Sequence, residues 1–354
     1  MKAAFLVGAG RFEIREIPQL FAPEDGLVLE VRACGVCGSD LRRWREGPLP
    51  GSGDVIAGHE IAGIVLTVGS RVKDYKPGDR LAVAPDVHCG RCYFCKRGLY
   101  NLCDDIHLIG ISPGYPGGFA EQMVLTAEIL NLGIVHLIPA ELSFREAAFA
   151  EPLSSVLAAH AKANTNLEDT VLIMGAGPIG CLHIVVAKAR GARVILSEPH
   201  ETRREWAKMF GPDQVLNPLQ EDVVSQVRRF TGNLGADIVI CANPIAETQK
   251  QAVEAVRKGG RVILFGGLPK ANPMTTLNAN LIHYGEINVV GAFSYHPSYH
   301  QQALEVIRRG LVPVEQLITH TFPLEQINEA FSMASQGEAL KVMIENQLPR
   351  EENL

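Results

Sequence analysis

Apolar positions change their rhythm near residue 150. Before it they come in short, β-branched runs, Leu27–Val31, Ile61–Val68 and Arg80–Ala84, separated by turn clusters such as Lys76-Pro77-Gly78-Asp79. Runs of this length between Gly and Pro predict strands, and no strand–helix alternation accompanies them. Met1 to Gly8 reads as a first strand. An irregular, barrel-like β domain is expected. Beyond residue 155 the period lengthens. A helix over Ser154–Ala163 leads to a strand at Thr170–Met174, a glycine turn and a helix over Ile179–Arg190. Then come a strand at Arg193–Ser197, a helix over Glu201–Phe210, a strand at Ile238–Cys241, a helix over Thr248–Val256 and a strand at Gly260–Phe265. Strands separated by helices predict βαβ units and a doubly wound parallel sheet. The pattern loosens at Val289–Phe293. A helix over Ser298–Arg309, the segment Leu324–Met333 and a strand at Lys341–Ile344 follow, and Pro349–Leu354 is expected to fray.

At 354 residues two domains are the natural division. A net charge of −6 argues against a nucleic-acid or anionic-membrane partner. No run approaches ~20 apolar residues, so no membrane span is expected. Met1 to Gly8, soon followed by Arg11 and Glu13, does not read as a secretory signal. The expected location is cytoplasmic, where eight cysteines mean thiolate ligands rather than bridges. Cys34, Cys181 and Cys241, in apolar or Gly-containing sequence, read as buried small hydrophobes.

Cys89, Cys92, Cys95 and Cys103 form a C-x2-C-x2-C-x7-C loop. Thiolates at this spacing turn back onto one ion, and four close a tetrahedral zinc, which makes the site structural. An Fe–S cluster is the rival. Gly175-Ala176-Gly177-Pro178-Ile179-Gly180 is a full G-x-G-x-x-G between a predicted strand and a predicted helix. Its glycines permit a tight turn and let backbone approach a pyrophosphate. Glu198 ends the next strand, placed to accept ribose hydroxyls and to repel a 2′-phosphate. That favours NAD, while Arg203 and Arg204 keep NADP open. Cys37, in the loop Gly35-Val36-Cys37-Gly38-Ser39-Asp40, and His59-Glu60 after Gly58 offer further ligands without tight spacing. A histidine so placed is often structural.

Gly58-His59-Glu60-Ile61-Ala62-Gly63 with Gly69 and Val72 resembles the signature of zinc-containing alcohol dehydrogenases of the medium-chain dehydrogenase/reductase superfamily. The resemblance runs on through Pro77-Gly78-Asp79-Arg80, the four-cysteine lobe, Gly117-Gly118-Phe119-Ala120-Glu121 and the dinucleotide turn. Glu151-Pro152-Leu153 and Cys37-Gly38-Ser39-Asp40 look most like the polyol branch: sorbitol, threonine and sugar-alcohol-phosphate dehydrogenases.

The resemblance implies an α/β chain. A GroES-like irregular β-barrel domain would span residues 1–154, a Rossmann domain 155–290, and the chain would return to the first domain over 291–354. It implies two zinc ions per chain, one structural and one catalytic. Cys37 and His59 would hold the catalytic zinc with Glu60 or Glu151, the two exchanging during turnover or acting through a water. Asp40 would orient His59, and Ser39 would bond the substrate oxygen. Many simple alcohol dehydrogenases carry Cys where Glu151 stands; a carboxylate there makes the site harder and leaves Mn or Co open.

Two departures from the family pattern concern the substrate. Arg42 stands where many relatives carry a proton-relaying His, and it cannot serve as a base. Ser294 stands where sorbitol dehydrogenases place an Arg, and Arg43 replaces a pocket aromatic. Arg42, Arg43, Trp44 and Tyr295 are therefore candidates for the substrate pocket, the arginines for an anionic substituent such as a phosphate or else as solvated surface charges. The implied activity is NAD-dependent oxidation of a secondary alcohol on a polyol, sugar alcohol or polyol phosphate, reversible to the ketose, by a homodimer or homotetramer. A threonine or short-chain diol dehydrogenase is the alternative, and a non-catalytic NAD(P)-binding protein a more distant one.

Overall fold

A computed structural model describes residues 1–48 and 54–346, which leaves the expected fraying of Pro349–Leu354 outside the described residues. The chain divides into two compact units, Met1–Pro152 with Tyr295–Leu354, and Leu153–Ser294.

The first unit is built on a bulged, mainly antiparallel sheet. Its strands run in the order Ile134–Leu137, Arg80–Ala84, Glu60–Val68, Leu27–Gly35, Lys341–Glu345 and Ile318–Phe322, with Gln122–Leu125 also paired to Leu27–Gly35. Only the last two of that order pair in parallel. A three-stranded sheet of Arg11–Glu16, Lys2–Gly8 and Val55–Ile56 stands beside it. Leu27, Leu29, Ile61, Leu81 and Val83 turn their apolar faces into one core. Phe12, Phe119 and Phe331 meet there edge to face, with centroids 4.7 to 6.2 Å apart, the arrangement aromatic quadrupoles favour.

Register within this sheet places the candidate chemistry. Gly35, the last residue of its strand, lies opposite Glu60 on one side and opposite Met343 on the other. Glu60 and the strand that starts at Lys341 thus flank one glycine.

The second unit is a six-stranded parallel sheet in the order Gln214–Leu216, Arg193–Ser197, Thr170–Met174, Ala236–Cys241, Val256–Leu264 and Asn288–Gly291. Strand order reverses between Thr170–Met174 and Ala236–Cys241, and such a switch point opens a crevice at the carboxyl ends of the strands. Thr170–Met174 is buried throughout, as a strand covered on both faces must be.

Two predicted boundaries are corrected. The stretch after Cys37 is not all loop: Gly38–Glu46 is a helix with Cys37 as its N-cap, so Ser39 and Asp40 lie in a first turn. The helix expected from Ser154 begins at Ala150, placing Glu151 in its first turn. In both cases Gly or Pro near the start masks the helix, although Pro is well tolerated in a first turn.

Candidate active site and metal centres

The turn into helix Gly38–Glu46 organises the first group. Asp40 Oδ2 accepts the Cys37 amide at 3.0 Å, which anchors the cap and turns the carboxylate inward. Asp40 Oδ1 then lies 3.3 Å from His59 Nδ1. That nitrogen is buried and has no aligned hydrogen-bond partner among the described residues, while Nε2 faces Ser39 Oγ at 3.4 Å. Cys37 Sγ, a His59 nitrogen and a Glu60 carboxylate oxygen all fall within 4.8 Å of one another. A thiolate, an imidazole and a carboxylate at that spacing match zinc's preferences.

Charge around these groups points the same way. Burial opposes protonation of His59, but the Asp40 and Cys37 charges outweigh it and hold its pKa well above the usual value. Glu151 is pushed up to about 7, first by burial; the Glu60 and Asp86 charges add to this and His59 and Lys341 oppose it. Four carboxylates and a thiol thus crowd one imidazole and one ammonium, a balance that a dication corrects. Glu151 also accepts a hydrogen bond from the Tyr295 hydroxyl at 3.1 Å.

The remaining pocket candidates sit on helix Gly38–Glu46, where Arg42 is exposed and Arg43 half-buried. Trp44 packs its ring against Phe331, with centroids 5.9 Å apart. Lys341 and Asp86 are not among the predicted site residues, yet Lys341 Nζ pairs with Glu60 Oε2. The available signal was a lone lysine opening the apolar strand Val342-Met343-Ile344.

The four lobe cysteines gather within 4.8 Å. Backbone amides are aimed at the sulfurs: Cys89 N and Asp105 N at Cys103 Sγ, 3.3 and 3.4 Å away, and Cys95 N at Cys92 Sγ, 3.4 Å away. Amides of Cys95 and Asp104 pull the Cys92 thiol down to about 6, whereas burial pushes Cys95 up to about 12. All eight cysteines are free thiols.

In the second unit, Gly175 takes φ +111°, and a Cβ at Gly180 would overlap the Gly175 carbonyl. Gly177 caps helix Pro178–Ala189, with Pro178 and Ile179 as its first residues. Glu198 is buried, and its carboxylate accepts Ala176 N at 2.7 Å and His200 N at 2.9 Å. Arg204 donates to the carbonyls of Glu198 and Pro199, and Arg203 is half-buried beside it.

Residues 23–134 match the model of the alcohol dehydrogenase GroES-like domain, and residues 178–309 that of the zinc-binding dehydrogenases. Sorbitol dehydrogenase of Bacillus subtilis is 36% identical over 354 aligned positions, covering 97% of each chain. The chain belongs to the zinc-containing alcohol dehydrogenases. Within that family, D-arabitol-phosphate dehydrogenase of Enterococcus avium is 33% identical, over 92% of this chain and 91% of its own. The solved structure of a zinc-binding dehydrogenase from Sinorhizobium meliloti, bound to NADP, superposes with a TM-score of 0.88 at 31% identity, covering 97% and 98% of the two chains. This zinc-containing alcohol dehydrogenase is therefore an oxidoreductase. Among its described residues no helix is long and apolar enough to cross a membrane.

Proposed function

We propose that this chain oxidises a secondary alcohol of a polyol or sugar alcohol with NAD, and reduces the matching ketose in reverse. The observation that carries this reading is the convergence of Cys37, His59 and Glu60 within 4.8 Å, with Glu151 and Ser39 close by. Cys37, His59 and one of the two glutamates would hold zinc, and the four-cysteine lobe a second, structural ion. The bound groups supply Lewis acidity toward a hydroxyl and a carbon acceptor for hydride.

The chain's own residues do the rest. Ser39 Oγ, beside His59 Nε2, bonds the substrate hydroxyl and takes up its hydrogen-bonding capacity. Asp40 fixes the His59 ring from behind, as the outer partners of ligating imidazoles do. Glu198 serves the cofactor, because a buried carboxylate beside the glycine turn accepts ribose hydroxyls and repels a 2′-phosphate.

Ser39, Arg42 and Arg43 stand one turn apart on one helix, the spacing at which helical side chains share a face. That supports a phosphorylated substrate, with the phosphate one turn from the reacting carbon. A panel of polyols and their phosphates, followed by NADH absorbance, tests both statements. Turnover of free polyols only would remove the phosphate, and turnover of neither would sink the polyol reading. We also propose that the chain works as a homodimer or homotetramer with edge strand Asn288–Gly291 at the contact, to be checked by light scattering.

A further inference from the structure

Glu60 and Lys341 meet across the end of a central strand. Lys341 Nζ donates to Glu60 Oε2 and, at 3.1 Å, to the carbonyl of Val36. Both side chains are almost wholly buried, at 3% and 1% exposure. A Cβ at Gly35 would overlap Glu60 Oε2 and lie 3.1 Å from Lys341 Cε. The missing side chain is what lets the carboxylate lie against the lysine. Yet Glu60 also offers an oxygen within 4.8 Å of Cys37 and His59.

Such a pair is a poor stabiliser. Two desolvated ions lose in hydration most of what they gain in attraction, and apolar residues of similar volume often do better. Its position against the candidate metal ligands gives it another use.

We propose that Lys341 is a positioning residue that holds the Glu60 carboxylate at Gly35 in competition with the metal at Cys37 and His59. Glu60 is then a ligand whose charge is divided between two cations. The ammonium keeps it from closing the metal's open position permanently, and its release toward the metal costs the buried ion pair. This rests on the reading of Cys37, His59 and Glu60 as the metal-binding set.

Zinc release from the purified holoenzyme to a chromogenic chelator tests it. Two ions per chain are expected, leaving in two phases, with the faster one absent in Cys37→Ala. Lys341→Met frees Glu60 for the metal and slows that phase about tenfold, the low end of what partners behind metal ligands contribute. Gly35→Ala keeps the lysine charge but displaces the carboxylate from it, and slows the same phase. Neither substitution changes the rate in a Glu60→Gln background, and Lys341→Arg restores the wild-type rate.

Equal slowing by Lys341→Met with and without Glu60 would show only the field of a removed charge and would overturn the proposal. Unchanged or faster release in Gly35→Ala overturns it as well, and decides the matter alone if Lys341→Met does not fold. One zinc per chain, or a fast phase that survives Cys37→Ala, would instead overturn the reading of the site.

Discussion

Tyr295 donates its hydroxyl hydrogen to Glu151 Oε1 across 3.1 Å, joining residues 144 positions apart in the sequence. Tyr295 is buried and Glu151 half-buried, so the bond lies partly out of water. Tyr295→Phe keeps the ring and removes the donor. Losing one part-buried hydrogen bond costs about 1 kcal/mol, so the melting temperature should fall by a few degrees. If Glu151 works at the reacting centre, kcat/KM should fall with it, by about tenfold for a transition-state loss near 1.4 kcal/mol. A rise in KM alone, with unchanged melting, would mean that Tyr295 serves the substrate directly.

Glu198 carries two loads. Its carboxylate accepts the Ala176 amide inside the glycine turn, and under the proposed reading the same charge would meet the cofactor's ribose. Glu198→Gln keeps an acceptor for Ala176 and removes the charge. The ratio of kcat/KM for NAD over NADP should drop about tenfold, one desolvated repulsion of about 1.4 kcal/mol being lifted. A ratio unchanged by Glu198→Gln would confine Glu198 to holding the turn.

How much of this was legible beforehand depends on range. The strands at Arg80–Ala84, Thr170–Met174 and Arg193–Ser197 match their predicted ends, because apolar runs bounded by turn residues encode them locally. The four-cysteine lobe was readable because its ligands lie on one loop. Helix Gly38–Glu46 was hidden: its mean hydropathy is low, with Arg42, Arg43, Arg45 and Glu46 in nine residues, and its start is two small residues after a cysteine. The pairing of Lys341 was hidden for a different reason. It meets Glu60 across 281 positions, and only the register of Gly35 between two strands brings them together. Tyr295 came forward through the family's pocket, whereas its observed partner is a carboxylate that no spacing rule connects to it.

The cysteine lobe should behave as a closed metal site. Backbone amides already point at Cys92 and Cys103, and thiolates so supported bind an ion that the chain cannot replace with packing. Cys103→Ser should cost one zinc per chain by elemental analysis and lower the melting temperature. Structural zinc is worth about 10 kcal/mol or more even in small domains, so the loss should exceed that of any single hydrogen bond. Zinc content of two with no iron is expected for the wild type. Iron, or a visible charge-transfer band in the purified protein, would favour an Fe–S cluster at these thiolates.

Three buried histidines, His160, His183 and His300, each weaken the fold toward acid. His160 donates to or accepts from Thr165 at 2.9 Å and His183 at 3.2 Å, and His136 meets His300 at 2.9 Å. Burial pulls His160 down to about 3, with the Arg190 charge adding to it. Burial and the neighbouring His136 pull His300 down to about 3. His183 is lowered in the same direction by burial and by His160. Each is neutral in the folded chain at a pH where the unfolded chain, with an ordinary pKa near 6.5, takes up a proton. Unfolding then binds protons, so this stability is complete above about pH 6.5 and declines as pH falls toward 3. Each histidine contributes a loss of about 1.4 kcal/mol per pH unit in that window, or about 4 kcal/mol for three between pH 7.5 and 5.5. Melting temperatures across that range should fall with this loss, offset in part by Glu151, whose pKa of about 7 lets the folded chain take up a proton in the same window. His183→Leu should remove about a third of the slope, which separates this effect from acid-driven loss of metal. An unaltered slope in His183→Leu would show that this imidazole is not held neutral by the fold.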